Sequence, residues 1–272
     1  MSKLSNYYTR ALVTGGGSGL GKAFADMLRH EGIEVWITSR APEKLPKDTP
    51  FHCLQLDLLD NTSLDKLIQR VNSDELSFDL LINNAGAGSF YPFEEFPKQE
   101  IEDQVQLLCT GPILLTQAFY KKMLANKKGT IVNISSLGGI FPIPLLSLYS
   151  GAKSALSTFT GSLILEATGS GIHVVDIQPG DYQTAFNDVA HKDTSFSNKH
   201  FHKAWAAIEK HRHAAPTAEH AAKALRKILL KQKSGQYAIG DLFQSKIGPC
   251  LAKIAPRSLV LWFLKRYYHL NT

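Results

Sequence analysis

The sequence predicts an α/β fold in which helices cover both faces of one parallel sheet, a doubly wound arrangement of about seven strands. Short apolar runs of strand length alternate with longer helical segments along most of the chain, as successive βαβ units require. A glycine-rich loop separates the first strand from the first helix. With 272 residues, 44% of them apolar, the chain can bury a substantial core. We expect residues 1–272 to form a single domain with a C-terminal extension from about residue 242.

The first βαβ unit has the pattern of a dinucleotide site. Residues 11–14 predict a buried strand, residues 22–32 a helix and residues 33–39 a second strand. Glycines let the backbone approach a pyrophosphate, and a helix N-terminus adds N–H groups and the positive end of its dipole. This unit predicts a nucleotide-binding Rossmann fold. Its loop reads T-G-x-x-x-G-x-G, and the residues concerned are Thr14, Gly15, Ser18, Gly19, Leu20 and Gly21.

The end of the second strand indicates which dinucleotide is bound. Enzymes that use NAD place an acidic residue there, on the ribose 2′-hydroxyl. This chain has Ser39 and Arg40 instead. A guanidinium suits a 2′-phosphate by bidentate contact, so we expect NADP(H). The alternative is a solvated arginine at the start of a loop.

The remaining elements follow in alternation. The helix over 216–232 is amphipathic and begins at Pro-Thr. Strands are predicted within 51–58 and 78–86, at 130–134, within 171–180 and at 235–240, and helices near 61–72, over 98–126 and from Ser147 to about Thr168.

The stretch 135–153 contains the candidate reaction centre. It follows an apolar strand and enters a helix for which Ser147 is a plausible N-cap. Tyr149 and Lys153 are four residues apart, on one helix face, and a lysine cation beside a phenol lowers the phenol pKa. Tyr149 is therefore a candidate general acid or base, and the Ser136 hydroxyl is placed to hold a substrate oxygen. A Tyr-x-x-x-Lys pair alone also fits a surface helix pair without function.

With the glycine loop upstream, these residues make the chain similar to the short-chain dehydrogenase/reductase family over nearly all of residues 9–240. The resemblance implies reversible hydride transfer between NADP(H) and a carbonyl or alcohol. It implies that Ser136 orients the oxygen, that Tyr149 donates or takes the proton, and that Lys153 lowers the Tyr149 pKa and holds the nicotinamide ribose. It also leads us to expect a homodimer or homotetramer, paired through the helix that carries Tyr149.

The resemblance implies further cofactor contacts. An aspartate faces the adenine amino group, an N-N-A-G turn packs against the cofactor, and P-G-x-x-x-T closes over the nicotinamide amide and phosphates. By itself, the aspartate fits equally well as a cap for the next helix. The matching residues are Asp57, Asn84, Ala85, Gly86, Pro179, Gly180 and Thr184.

The chain departs from the family at Leu108. Three residues before the helix glycine, here Gly111, the family normally has an asparagine that kinks the helix and holds a proton-relay water. Leucine cannot hydrogen-bond, so the relay must use another route or be missing.

Two stretches bear on the substrate. The loop 139–148 borders the expected cleft and is rich in isoleucine and leucine, which predicts an apolar, lipid-like substrate. The aromatic stretch 89–96 is placed to form a facing wall.

The tail 242–272 is apolar and aromatic with basic flanks. It fits either a helix docked within the fold or a dimer, or an interfacial helix in peripheral contact with a membrane.

Composition limits the partners further. A net charge of +6 fits a mildly basic soluble protein, or attraction to an anionic membrane or cofactor. No nucleic-acid partner is expected, because no basic stripe with a known binding motif occurs. Three unpaired cysteines, the lack of a signal-peptide core and the lack of a spanning apolar run predict a cytoplasmic location, with or without membrane association. The histidine-rich stretch 187–213 coincides with the family's substrate lid, and no metal is expected.

Three functions therefore compete. The first is an NADP(H)-dependent reductase of an apolar carbonyl substrate. The second is the same fold acting on a small polar or sugar-like substrate. The third is an NADP-binding protein with little turnover, a reading that Leu108 supports.

Overall fold

The computed structural model describes residues 3–184, 191–192 and 199–270. The strands are β1 (Arg10–Val13), β2 (Glu34–Ser39), β3 (His52–Gln55), β4 (Leu80–Asn83), β5 (Ser89–Phe90), β6 (Gly129–Ile134), β7 (Ile172–Pro179), β8 (His191–Lys192) and β9 (Gly235–Ile239). The α-helices are α1 (Gly19–His30), α2 (Asn61–Asn72), α3 (Lys98–Val105), α4 (Gly111–Asn126), α5 (Ser147–Glu166), α6 (Lys199–Ala214), α7 (Ala218–Leu229), α8 (Gly248–Ile254) and α9 (Arg257–Tyr267). Two π-helical turns, Gln106–Thr110 and Phe243–Ile247, and short 3₁₀ turns complete the described elements.

The main sheet has seven parallel strands in the order β3-β2-β1-β4-β6-β7-β9. This confirms the predicted doubly wound Rossmann fold. The strand order reverses between β1 and β4, and ligands of such sheets bind in the crevice beyond the carboxyl ends of the strands at that point. β5 and β8 form a separate two-stranded pair.

Each face of the sheet is covered by a hydrophobic layer. On one face, Phe24 and Leu28 of α1 pack with Leu225 of α7. On the other, Leu64 of α2 packs with Phe119 of α4. Because both faces are covered, burial in the central strands does not alternate, and every residue of β4 and β6 is buried.

Two helix boundaries differ from expectation. α5 begins with Ser147 as its first helical residue, so the prediction that Ser147 caps this helix is wrong. The cap position holds Leu146, whose side chain is buried against Phe90, and this anchoring sets where the chain enters the helix. The helix predicted over 98–126 is continuous but contains the π-turn between α3 and α4.

The C-terminal tail folds back onto the body of the protein. Val260, Leu264 and Tyr268 are buried and pack with Ala207 of α6 and with Phe141. The tail therefore includes a helix docked within the fold, which was one of the two alternatives predicted for residues 242–272. Within the described ranges, no helix is long and apolar enough to cross a membrane.

The histidine-rich segment that was expected to form a lid is described only in part. Residues 187–190 and 193–198 lie outside the described residues. Within α6, Trp205 contacts Phe90 edge to face, with ring centroids 4.7 Å apart. Helix α6 thus packs against the two-residue strand β5.

Candidate active site

A cavity of about 990 Å³ lies at the carboxyl ends of the central strands, beside the switch point. It is lined by all of the predicted site residues except Thr14 and Gly21. Those that line it are Gly15, Ser18, Gly19, Leu20, Arg40, Asp57, Asn84, Ala85, Gly86, Ser136, Tyr149, Lys153, Pro179, Gly180 and Thr184.

Thr14 and Gly21 shape the glycine loop from behind. The Thr14 hydroxyl oxygen accepts hydrogen bonds from the main-chain N–H groups of Asn84, at 2.9 Å, and Ala85, at 3.0 Å. The Asn84 side chain donates to the Thr14 carbonyl at 3.0 Å. A Cβ atom at Gly21 would lie 2.3 Å from the Gly15 carbonyl oxygen, so only glycine fits there. The N-N-A-G turn thus locks the loop in place.

The loop presents an anion site to the cavity. Gly15 and Gly19 have φ angles of 63° and 52°, a left-handed conformation that favours glycine. Because α1 begins at Gly19, the N–H groups of its first turn have no intrahelical acceptor. Thr184 lies against Gly19, 3.6 Å from the position of an added Cβ. These features fit the pyrophosphate of a dinucleotide.

Arg40 and Asp57 line the same cavity. Arg40 is exposed and directly follows β2. Asp57 accepts a hydrogen bond from the Leu59 N–H at 3.0 Å. The alternative in which Asp57 caps the next helix is wrong, because Asp60 is the N-cap of α2 and accepts from Thr62.

Ser136, Tyr149 and Lys153 come together on the wall of the cavity. The Ser136 hydroxyl hydrogen-bonds the Tyr149 phenol and also accepts from the Gly138 N–H at 2.9 Å. The Lys153 ammonium lies 6.0 Å from the centre of the Tyr149 ring and donates to the Ile134 carbonyl at 2.7 Å. The strand end and the first two turns of α5 thus place hydroxyl, phenol and ammonium side by side.

Burial governs the protonation of this group. Burial raises the pKa of the Tyr149 phenol; the hydrogen bond from Ser136 opposes this, and the Asp181 carboxylate adds to it. Without a bound cofactor the net shift of the Tyr149 pKa is therefore upward, because burial dominates, and not the downward shift expected from Lys153. Burial lowers the pKa of Lys153 to about 8, although the charge of Asp176 opposes this shift.

Leu108 fills the place of the family asparagine. It is fully buried within the π-turn, and its Cδ2 atom lies 2.9 Å from the position of a Cβ added at Gly86. The same position at Gly86 is 3.7 Å from the Lys153 ammonium. The helix is therefore distorted here without an asparagine, and an apolar side chain occupies the region beside Lys153.

The reasoning from sequence missed Asp176. This fully buried carboxylate accepts from Ser135 at 2.5 Å, from Ser157 at 2.6 Å, and from the amides of Gln178 and Gln236 at 2.9 Å and 3.0 Å. Four donors satisfy its oxygens in the interior, and its charge raises the pKa of Lys153. The signal in the sequence was an aspartate flanked directly by the apolar residues Val175 and Ile177 within a strand.

The substrate end of the cavity is apolar. Phe141, Ile143 and Leu146 line it, as expected for the loop 139–148. The predicted aromatic wall at 89–96 is wrong: none of its residues lines the cavity, because Phe90 is buried in the core and Phe93 points outward. The facing wall comes from the tail instead, through Leu251, Leu259, Val260, Trp262, Phe263, Leu264 and Tyr267.

Known proteins share this arrangement. A family model described as short chain dehydrogenase matches residues 9–195. The chain is 35% identical over 178 residues to a 3-ketodihydrosphingosine reductase of Bacteroides thetaiotaomicron, covering 65% of each protein. It is 33% identical over 195 residues to a very-long-chain 3-oxoacyl-CoA reductase of Phaeosphaeria nodorum, covering 66% of this chain and 57% of that protein. The chain spans less than two thirds of the length of these relatives. A solved short-chain dehydrogenase from Streptomyces avermitilis has a TM-score of 0.78 and 27% identity, covering 94% of this chain and 96% of that one.

Proposed function

We propose that the chain, which belongs to the short-chain dehydrogenase/reductase family, reduces the carbonyl group of a long, apolar, lipid-like substrate with NADPH. The family as a whole transfers hydride between NAD(P)(H) and a carbonyl or alcohol. The observation that carries the finer proposal is that the cavity lined by Tyr149 is also lined by apolar side chains of the 139–148 loop and of the tail helices.

The cofactor follows from the adenosine end of the cavity. Strand β2 ends in Ser39 and Arg40 without a carboxylate, and the Arg40 guanidinium suits the 2′-phosphate of NADP(H). The glycine loop and the first turn of α1 would hold the pyrophosphate, and Asp57 would face the adenine. When bound, NADPH supplies the hydride.

Proton transfer to the substrate would depend on Ser136, Tyr149 and Lys153. Because burial raises the Tyr149 pKa, the phenol stays protonated near neutral pH, which suits a general acid in carbonyl reduction. Ser136 would hold the carbonyl oxygen by a hydrogen bond while Tyr149 gives up its proton. The Lys153 ammonium would stabilise the phenolate that remains and would hold the nicotinamide ribose.

The substrate class follows from the cavity and from the relatives. Their names give a keto sphingoid base and very-long-chain 3-oxoacyl-CoA as substrates of those proteins. An apolar wall made of Phe141, Ile143 and residues of α9 favours a long alkyl chain attached to the carbonyl. The same surfaces offer little to a sugar-like molecule.

A screen following NADPH absorbance tests the proposal. The panel would contain long-chain ketones, short ketones and polyhydroxy ketones, each with NADPH and with NADH. We expect the highest kcat/KM for long-chain ketones with NADPH. Preference for the polyhydroxy ketones would instead establish the small polar substrate.

Leu108 favours a second candidate, an NADP-binding protein with little turnover. The leucine provides no hydrogen-bonding group beside Lys153, where the family places its relay. NADPH binding by calorimetry together with no oxidation of NADPH across the whole panel would establish this candidate.

We also propose a homodimer or homotetramer that pairs through α5. Leu165 on this helix is 75% exposed, so α5 presents an apolar side chain that a partner's α5 could cover. Sedimentation velocity on the wild type and Leu165→Asp tests it: the wild type should be oligomeric and the variant monomeric. A wild type that stays monomeric would refute the pairing.

A further inference from the structure

The large apolar side chains that are exposed in the described residues concentrate on one segment. Nine of these fourteen side chains lie between residues 242 and 263. Ile247, Leu251 and Ile254 follow one another at helical spacing along one side of the π-turn and α8, and Leu261 and Trp262 extend the patch onto α9. We call the exposed apolar side chains of residues 242–263 the tail surface.

The tail surface is not needed to hold the tail in place. Helix α9 is anchored by its opposite face, where Val260 and Leu264 are buried. Ile254, by contrast, is 78% exposed and Trp262 is 55% exposed. Contiguous apolar residues that remain exposed after a helix has docked mark an interaction site.

The tail's own acidic and basic side chains have one sign, and the nearest carboxylates are those of Asp181 and Asp241, whose charges act on Tyr267. Residues 242–272 contain no aspartate or glutamate but five cations, Lys246, Lys253, Arg257, Lys265 and Arg266. The Arg266 guanidinium lies over the Trp262 ring, 5.2 Å from its centre. Aromatic and aliphatic side chains flanked by lysine and arginine suit the boundary between headgroups and acyl chains of an anionic bilayer. A second copy would bring like charges together across a two-fold axis, which disfavours that occupant.

The cavity opens at the same surface. Phe243, Leu251, Leu259, Trp262 and Phe263 are exposed on the tail surface and also line the cavity. An alkyl chain leaving a bilayer at this point would pass between apolar side chains toward Tyr149 without crossing bulk water.

We propose that the tail surface docks the protein onto an anionic lipid bilayer and that the substrate enters the cavity from that bilayer. The docking stands on the exposure and charge of the tail alone, whereas substrate entry rests on the proposed function. In this arrangement the π-turn Phe243–Ile247, α8 and α9 lie on the membrane, and the cofactor end of the cavity faces away from it.

Vesicle co-sedimentation of the full chain tests the docking. The vesicles are phosphatidylcholine alone, or phosphatidylcholine mixed with phosphatidylserine. We expect binding to the mixed vesicles, reduced about tenfold or more in Leu261→Asp, because a leucine leaves the bilayer and an anion replaces it. Lys253→Gln should weaken binding about fivefold, and on the mixed vesicles only. Leu124→Asp is the matched control, since Leu124 and Leu261 are 41% and 43% exposed on helices and neither lines the cavity.

Two readouts separate docking from catalysis. Leu261→Asp should keep its NADPH-dependent rate on a water-soluble short ketone and lose rate on a long ketone embedded in vesicles. Equal sedimentation of wild type, Leu261→Asp and Leu124→Asp would overturn the docking and leave the proposed reaction intact. A concentration-dependent dimer that Leu261→Asp abolishes, without vesicle binding by the wild type, would overturn it in favour of a second copy.

Discussion

The two ends of the cavity are held together by different kinds of interaction. The cofactor end is a set of hydrogen bonds between side chains and the main chain, in which Thr14 and Asn84 lock a loop that only glycine fits at position 21. The substrate end consists of apolar side chains from distant segments, with Phe141 packed against Val260 and Leu264 of α9. The first end is dictated by a ligand that many proteins share. The second consists of side chains that would contact the substrate, and under the proposed function it sets the substrate class.

The largest expected effect lies where the two ends meet. Tyr149→Phe removes the phenolic hydroxyl and should lower kcat by about 10²- to 10⁴-fold, the range for loss of a general acid. NADPH affinity and Tm should change little, because the ring still fills its place. Steady-state kinetics, calorimetry and thermal unfolding together check this. A variant that keeps most of its rate would remove Tyr149 from the mechanism.

The next effect isolates the cofactor end. Arg40→Asp should weaken NADPH binding roughly ten- to a hundredfold, because one charge-assisted contact contributes about 1.5–3 kcal/mol, and should change NADH binding far less. Titration of both cofactors measures it. Lys44→Asp is the control, since Lys44 is an exposed cation near Arg40 that does not line the cavity. Equal affinities of the wild type for NADH and NADPH would contradict the assignment.

A smaller effect is expected from Asp176, whose charge acts on Lys153. The negative charge of Asp176 raises the pKa of Lys153, which is about 8, so Asp176→Asn should lower that pKa further. If turnover needs the ammonium, kcat/KM for reduction falls as pH rises through this pKa. The decline should begin at lower pH in the variant, with several-fold less activity at pH 8. An unmoved pH profile in a variant that still folds would show that Asp176 has only a structural role.

The smallest effect concerns Leu108. Leu108→Asn should lower Tm, since an amide replaces a fully buried leucine, and should raise kcat a few-fold at most by offering a hydrogen-bonding group near Lys153. Leu108→Ala opens space without an amide and is the control. A loss of rate in Leu108→Asn with the cofactor still bound would show that the leucine suits this site.

The sequence was sufficient for the cofactor end and much of the fold. Thr14, Gly15 and Gly21 are demanded by backbone geometry at fixed spacing, and Tyr149 and Lys153 are one helical turn apart, so local pattern places them. Asp176 meets Ser135 across 41 residues, and Gln244 of the tail meets Asp181 across 63. No local pattern indicates such pairings.

The wrong prediction of an aromatic wall at residues 89–96 also arises from contacts between distant segments. Aromatic residues beside a cleft suit a pocket wall and a core equally well by composition. The two-residue strand β5 turns Phe90 inward against Leu146, and only the packing of the tail decides which segment faces the cavity. The shift of the wall from 89–96 to the tail also links the substrate to the tail surface.

The measurement that tests the account most directly is kcat/KM against chain length for unbranched methyl ketones, in vesicle-free buffer with NADPH. Wild type, Phe263→Ala and Phe93→Ala would be compared; Phe263 lines the cavity and Phe93 does not, although both are exposed. We predict that kcat/KM rises about fourfold per methylene, from about 0.8 kcal/mol each, until the cavity is filled. Phe263→Ala should lose this gain for long ketones, and Phe93→Ala should keep it. A flat profile in the wild type, or equal profiles in both variants, would contradict an apolar substrate held by the tail.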